Sequence, residues 1–119
     1  MIQFYWYPKC STCRKAKKWL DEHQVEYETI DMIQNIPSAE QLKKWLEESS
    51  LPVRRFFNTS GKLYRESGLK ERIDEMTTDE LAAELAKNGM MIRRPILDNG
   101  HEVTLGFKEE AFQHIVEGE

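Results

Sequence analysis

The chain has 119 residues, 39% of them apolar and 32% charged, and a formal net charge of −4. That length suits one domain, residues 1–119, with a single hydrophobic core, and the composition is that of an ordinary soluble globular protein. The acidic balance argues against general nucleic-acid binding, no apolar run approaches the ~20 residues that span a bilayer, and the N-terminus lacks signal-peptide order, so a cytosolic location is expected.

Ile2, Phe4 and Trp6 alternate with Gln3, Tyr5 and Tyr7, which predicts a first strand covered on both faces. Past the turn, the apolar side switches to helical spacing at Cys13, Ala16, Trp19 and Leu20, and this helix ends near His23. Val25, Tyr27, Thr29 and Ile30 then read as a second strand, parallel to the first through the helix. Ser38 and Gln41 form a capping-box pair that starts another helix, with Leu42, Trp45 and Leu46 as its apolar stripe, fading at Glu48-Ser49-Ser50.

From Pro52 to Gly68 the pattern is irregular, with the turn-rich Asn58-Thr59-Ser60-Gly61 at its centre. Thr77 and Glu80 form a second capping-box pair; the helix they start turns Leu81, Leu85 and Ala82 or Ala86 inward, and Asn88-Gly89 closes it. Ile92 to Leu97 and Glu102 to Gly106 flank Asp98-Asn99-Gly100-His101, where Asn-Gly signals a hairpin. Ala111, Phe112, Ile115 and Val116 make a last short helix. The order is βαβ, then helices, then a hairpin and a helix, which is a mixed α/β domain without repeats or linkers.

The only two cysteines, Cys10 and Cys13, lie in Tyr7-Pro8-Lys9-Cys10-Ser11-Thr12-Cys13-Arg14-Lys15, where the first strand turns into the first helix. Unpaired backbone N–H groups of a first helical turn, with the positive end of the helix dipole, favour a thiolate over a thiol. Lys9, Arg14 and Lys15 push the same way or attract an anionic substrate, while Lys17 and Lys18 read as a solvated helix face. Cys10 is expected exposed and at the start of the helix, as the nucleophile; Cys13, one turn later on the apolar side, is expected buried, with a higher pKa, as the resolving thiol. A structural zinc would need a second paired cluster, which is absent, and His23, His101 and His114 are scattered without ligand spacing, so no metal is expected. Two arginines ahead of a strand, Arg93-Arg94, are by themselves ordinary surface residues. The proline after them matters more, since only before proline is a cis bond cheap, and Pro95 leading into a strand resembles the cis-proline loop of thioredoxin-fold proteins.

Together these features resemble the arsenate reductase (ArsC)/Spx family of glutaredoxin-like proteins. The resemblance rests on Pro8-Lys9-Cys10-Ser11-Thr12-Cys13-Arg14-Lys15-Ala16, Glu66-Ser67-Gly68-Leu69, Arg93-Arg94-Pro95-Ile96 and Leu105-Gly106-Phe107, in order along nearly the whole chain. It implies a thioredoxin/glutaredoxin-like fold with a mixed four-stranded sheet, a helical insertion at about Ser38 to Lys87, and the Cys10 and Pro95 loops meeting in space. It implies a thiol–disulfide oxidoreductase in which Arg94 stabilises the thiolate or holds an anionic group and Pro95 shapes the groove. No bound cofactor is implied; glutathione or a glutaredoxin/thioredoxin system would be the reductant, and a thiol or disulfide, protein or small molecule, the substrate.

Arsenate reductases of this family use one cysteine, matching Cys10, and three arginines, of which only Arg94 carries over. The second falls on or near Asn58 and the third within Val103 to Phe107, where there is none; Arg54 or Arg55 is the nearest substitute. Spx-type regulators share the Cys-x-x-Cys and Arg-Arg-Pro motifs and bind the C-terminal domain of the RNA polymerase α subunit, which makes that subunit the alternative partner. They continue well beyond the Gly-Phe motif, whereas twelve residues follow Phe107 here.

Overall fold

Four strands form one mixed sheet in the order β2-β1-β3-β4: β1 is Ile2–Trp6, β2 Tyr27–Asp31, β3 Ile96–Asp98 and β4 Val103–Leu105. The computed structural model describes residues 1–119. β1 and β2 run parallel, joined through α1 (Ser11–Glu22), and β1–β3 and β3–β4 are antiparallel. This is the thioredoxin-like arrangement expected from the motif order. The chain divides into two compact units, Met1–Met32 with Arg94–Glu119, and Ile33–Arg93.

In the first unit the alternation of β1 sends Ile2 and Phe4 to one face of the sheet. There they join Leu97 of β3, Ala16, Trp19 and Leu20 of α1, and Phe112 and Ile115 of α6 (Glu109–Glu117), all buried. Phe112 meets the Phe4, Trp19 and Phe107 rings edge-on, with centroids 6.5, 5.8 and 4.9 Å away, a favoured aromatic geometry. Tyr5, Ile96 and Leu105, in register on the other face, are buried too. Helix α1 stops because Gln24 turns left-handed at φ 57 and the N–H groups of Gln24 and Val25 fold back onto the Asp21 and Leu20 carbonyls, a Schellman closure.

The second unit contains the expected helical insertion. In α2 (Ala39–Glu48) the Ser38 hydroxyl accepts the Gln41 N–H, and Leu42, Trp45 and Leu46 are buried. In α5 (Thr78–Ala86) the capping box closes in both directions between Thr77 and Glu80. The stretch read as irregular carries a 3₁₀ turn at Val53–Phe56 and a short helix, α3 (Lys62–Ser67), with α4 (Leu69–Arg72) beyond it. Six residues bury only Tyr64, too little periodicity to reveal α3. Its boundary is Gly68, at φ 74, and the Ser67 hydroxyl donates to the Tyr64 carbonyl while accepting from the Leu69 N–H. Asn88-Gly89 does not cap α5 as expected: Asn88 is extended, and its side chain accepts the Met90 N–H to start a 3₁₀ turn at Gly89–Met91.

The hairpin strand is also shorter than the expected Ile92 to Leu97. Ile92 bridges Phe57 within the second unit, and β3 begins only at Ile96, after the cis Arg94–Pro95 bond. The turn between β3 and β4 is a four-residue loop, not a tight Asn-Gly pair, since Asp98 pairs with Val103. Asn99 organises it from inside, accepting the His101 and Glu102 N–H groups and donating to the Ile115 carbonyl.

Candidate functional site around the cysteine pair

Strand β1 ends at Trp6, and four residues later Cys10 takes the N-cap of α1 in extended conformation, φ −87 and ψ 122. The loop between is fixed at both ends: the Cys10 N–H donates to the Tyr7 carbonyl at 2.9 Å, and the Arg14 guanidinium donates to the Pro8 carbonyl at 3.0 Å. Cys10 is half-buried, less open than the exposed thiol expected from the sequence, because it is the joint between strand and helix. Cys13 is completely buried on the apolar side of α1, and both thiols are free.

The environments of the two sulfurs differ. Partial burial pushes the Cys10 thiol up, but this is outweighed by the Cys13 N–H and thiol, the positive charge of Arg94 and the Thr12 N–H, and its pKa falls below the ordinary 9.0. The Thr12 and Cys13 N–H groups are the unpaired first-turn donors that a helix N-terminus offers to an anion at its N-cap. Burial pushes Cys13 up to about 12, with Cys10 adding to the rise; the Tyr7 N–H, which reaches the Cys13 Sγ at 3.5 Å, and Arg94 oppose it. Two thiols three residues apart are thus driven in opposite directions.

Arg94 comes to the pair through the sheet. β1 and β3 pair Tyr5 with Ile96, and continuing that register by two residues sets Tyr7 opposite Arg94. The guanidinium lies over the Tyr7 ring, 5.5 Å from its centroid. Arg94 Nε and Nη1 are buried and have no hydrogen-bond partner. Pro95 is buried, and its carbonyl accepts the Gly106 N–H at 2.8 Å. The Arg-Pro and Leu-Gly-Phe motifs, distant in sequence, therefore form one ladder next to the cysteine loop.

The remaining candidates stand apart from this cluster. Lys9, Arg14 and Lys15 are exposed, and the cation whose charge acts on Cys10 is Arg94. Arg93, next to Arg94 in sequence, lies in the second unit, where its Nε donates to the Arg55 carbonyl at 2.8 Å. Arg54 is engaged by the Tyr64 hydroxyl and Asp74, and Asn58 donates to the Met90 carbonyl. His23 stacks on Trp19 and His114 pairs with Glu102. No group of three or more His, Cys, Asp or Glu side chains is placed to hold a metal, and no helix is long and apolar enough to cross a membrane. Nothing in the sequence marks Tyr7; only the strand register, which the sequence does not display, brings its ring to Arg94.

The model of the ArsC family matches residues 5–115. Uncharacterized protein YusI of Bacillus subtilis is 52% identical over 112 residues, covering 94% of this chain and 95% of that protein. Global transcriptional regulator Spx 2 of Bacillus cereus is 31% identical over 110 residues, covering 92% of this chain and 82% of the regulator. Among solved structures, a possible arsenate reductase from Streptococcus mutans superposes with a TM-score of 0.88 at 43% identity, covering 95% of this chain and 98% of that one.

Proposed function

The chain belongs to the ArsC family, and from that premise we propose that it is a thiol–disulfide oxidoreductase with Cys10 as nucleophile and Cys13 as resolving thiol. The observation that carries the reading is the opposed pair of sulfurs, one half-buried at a helix N-cap with a lowered pKa, the other enclosed and raised to about 12. The Cys10 thiolate attacks a substrate disulfide, forming a Cys10–substrate S–S bond and expelling the other half as a thiolate. Cys13 then gives up its proton to that thiolate or to water and attacks the Cys10 sulfur. This closes the Cys10–Cys13 disulfide and releases the second half, so the substrate gains two electrons and the cysteine pair loses them. An external thiol, glutathione or a glutaredoxin/thioredoxin system, returns those electrons.

The pKa difference sets the order of events. With its lowered pKa, Cys10 is the sulfur that ionises first and attacks, whereas Cys13 stays protonated until the mixed disulfide has formed next to it. The test is trapping: the Cys13→Ser variant incubated with a small disulfide should accumulate a mixed disulfide on Cys10, and the Cys10→Ser variant should form none. Exchange that survives Cys10→Ser would overturn the assignment.

A second reading is favoured by the Spx 2 likeness: a redox-sensing regulator that binds the RNA polymerase α C-terminal domain and does no turnover. Pull-down with that domain, using oxidised and reduced protein, separates the two. Redox-dependent binding without thiol exchange selects the regulator.

A further inference from the structure

We propose that Tyr7 is a positioning residue for the cysteine pair, its ring face holding the Arg94 guanidinium beside Cys10 and Cys13. The inference takes its chemical meaning from the thiol-exchange reading above, but its geometry is independent of turnover.

Arg94 needs something to hold it. Its Nε and Nη1 are buried yet make no hydrogen bond, so the usual anchors of a guanidinium plane are missing there. What the group does have is the Tyr7 ring, 5.5 Å away, in the range of a cation–π contact, which strengthens as water is excluded. The antiparallel pairing of β1 with β3, extended by two residues, sets the two side chains opposite each other. The same tyrosine reaches the resolving sulfur through its backbone N–H, at 3.5 Å from Cys13 Sγ. One residue thus touches the enclosed thiol by its main chain and the cation by its ring.

A cation whose Nε and Nη1 are buried acts on a nearby sulfur through a reduced local dielectric, so its effect depends steeply on where it sits. If the ring is removed and bulk kept, Arg94 can swing to water and its influence on Cys10 weakens. A merely packing role for Tyr7 predicts no link to Arg94, and this separates the two explanations.

The experiment follows Cys10 alkylation against pH in the Cys13→Ser background, with folding checked by far-UV circular dichroism. Tyr7→Phe, which keeps the π face, should leave the midpoint where it is. Tyr7→Leu should raise it by about 0.5–1 pH unit, a roughly three- to tenfold slower reaction at a fixed pH below the midpoint, as expected for partial loss of one neighbouring cation. In an Arg94→Ala background Tyr7→Leu should add nothing. An unmoved midpoint in Tyr7→Leu, or an equal rise with and without Arg94, overturns the proposal. Should Tyr7→Leu not fold, Tyr7→Met is read in the same way. Absence of thiol exchange in the wild-type protein removes the function proposed above and leaves this titration to decide the role of Tyr7 alone.

Discussion

The Cys10 backbone N–H is bonded to the Tyr7 carbonyl at 2.9 Å, and the Tyr7 N–H is aimed at the Cys13 sulfur at 3.5 Å. The residue that leaves β1 is therefore tied to both cysteines by its main chain alone. This arrangement keeps Cys10 at the helix start and Cys13 one turn further along without any side chain spanning the gap. The loop can be rigid while the sulfurs remain free to form a bond.

The first prediction concerns Cys10 itself. In the Cys13→Ser variant, the rate of alkylation should rise with pH through a midpoint below the ordinary thiol value of 9.0, since the upward push of partial burial on Cys10 is outweighed by first-turn N–H groups and Arg94. Iodoacetamide kinetics from pH 4 to 10 measure it directly. A midpoint in the ordinary thiol range would refute the assignment of Cys10 as the activated sulfur.

The two cysteines also make opposite contributions to stability against pH. Cys10 has a lowered value when folded, so the unfolded chain binds more protons between that value and 9.0, and stability rises with pH across this window. Cys13 is raised to about 12, so from 9.0 upward the folded protein keeps a proton that the unfolded chain has lost, and stability falls. Urea unfolding of the reduced protein should therefore show a decline above pH 9 that is smaller in Cys13→Ala. An equal decline in both proteins would contradict the enclosed, protonated Cys13.

Much of this was legible in the sequence, for reasons that differ by element. The βαβ start was readable because β1 and α1 carry full periodicity, and Cys13, Ala16, Trp19 and Leu20 form one buried line on α1. The helix α3 was not, because it buries a single side chain and is bounded by glycines instead of polar caps. The start of β3 lies later than alternation suggests, since alternation cannot show that Ile92 bridges Phe57 while Ile96 joins the sheet. At the site, the different burial of Cys10 and Cys13 follows from their spacing along one helix. The Tyr7–Arg94 contact requires an antiparallel register between residues 87 positions apart in sequence, which no local signal encodes.

Asn99 is the one buried polar side chain of the protein, and its substitution should be costly. Its carbonyl oxygen accepts the His101 and Glu102 N–H groups, at 2.8 and 2.7 Å, and its amide donates to the Ile115 carbonyl at 2.8 Å. Asn99→Ala leaves a buried carbonyl of α6 without this donor and removes both acceptor contacts of the turn. The expected loss is about 2–4 kcal/mol, from a typical 1–3 kcal/mol for an orphaned buried group plus the weakened loop. Chemical denaturation measures it. A loss below about 1 kcal/mol would mean that water replaces the amide and that the loop does not depend on it.

The final prediction concerns arsenate. Binding a multiply charged oxyanion next to Cys10 calls for charge-assisted hydrogen bonds from several arginines, and the family pattern supplies three. Here Arg94 stands at one of these positions. At the second position, Asn58 already spends its amide on the Met90 carbonyl and accepts from the Ser60 hydroxyl. At the third, β4 and the residues to Phe107 contain no arginine; within the second unit Arg54, a candidate substitute, is held by Tyr64 and Asp74. Two missing arginines, at about 1.5–3 kcal/mol for each charge-assisted bond, amount to about 3–6 kcal/mol, or roughly 10²–10⁴ in affinity. Arsenate-dependent oxidation of a glutathione/glutaredoxin-coupled reductant should therefore be negligible in protein that is active in thiol exchange. Saturable turnover at micromolar arsenate would show that Arg94 and the α1 N-terminus suffice for the oxyanion, and would replace disulfides with arsenate as the substrate of Cys10.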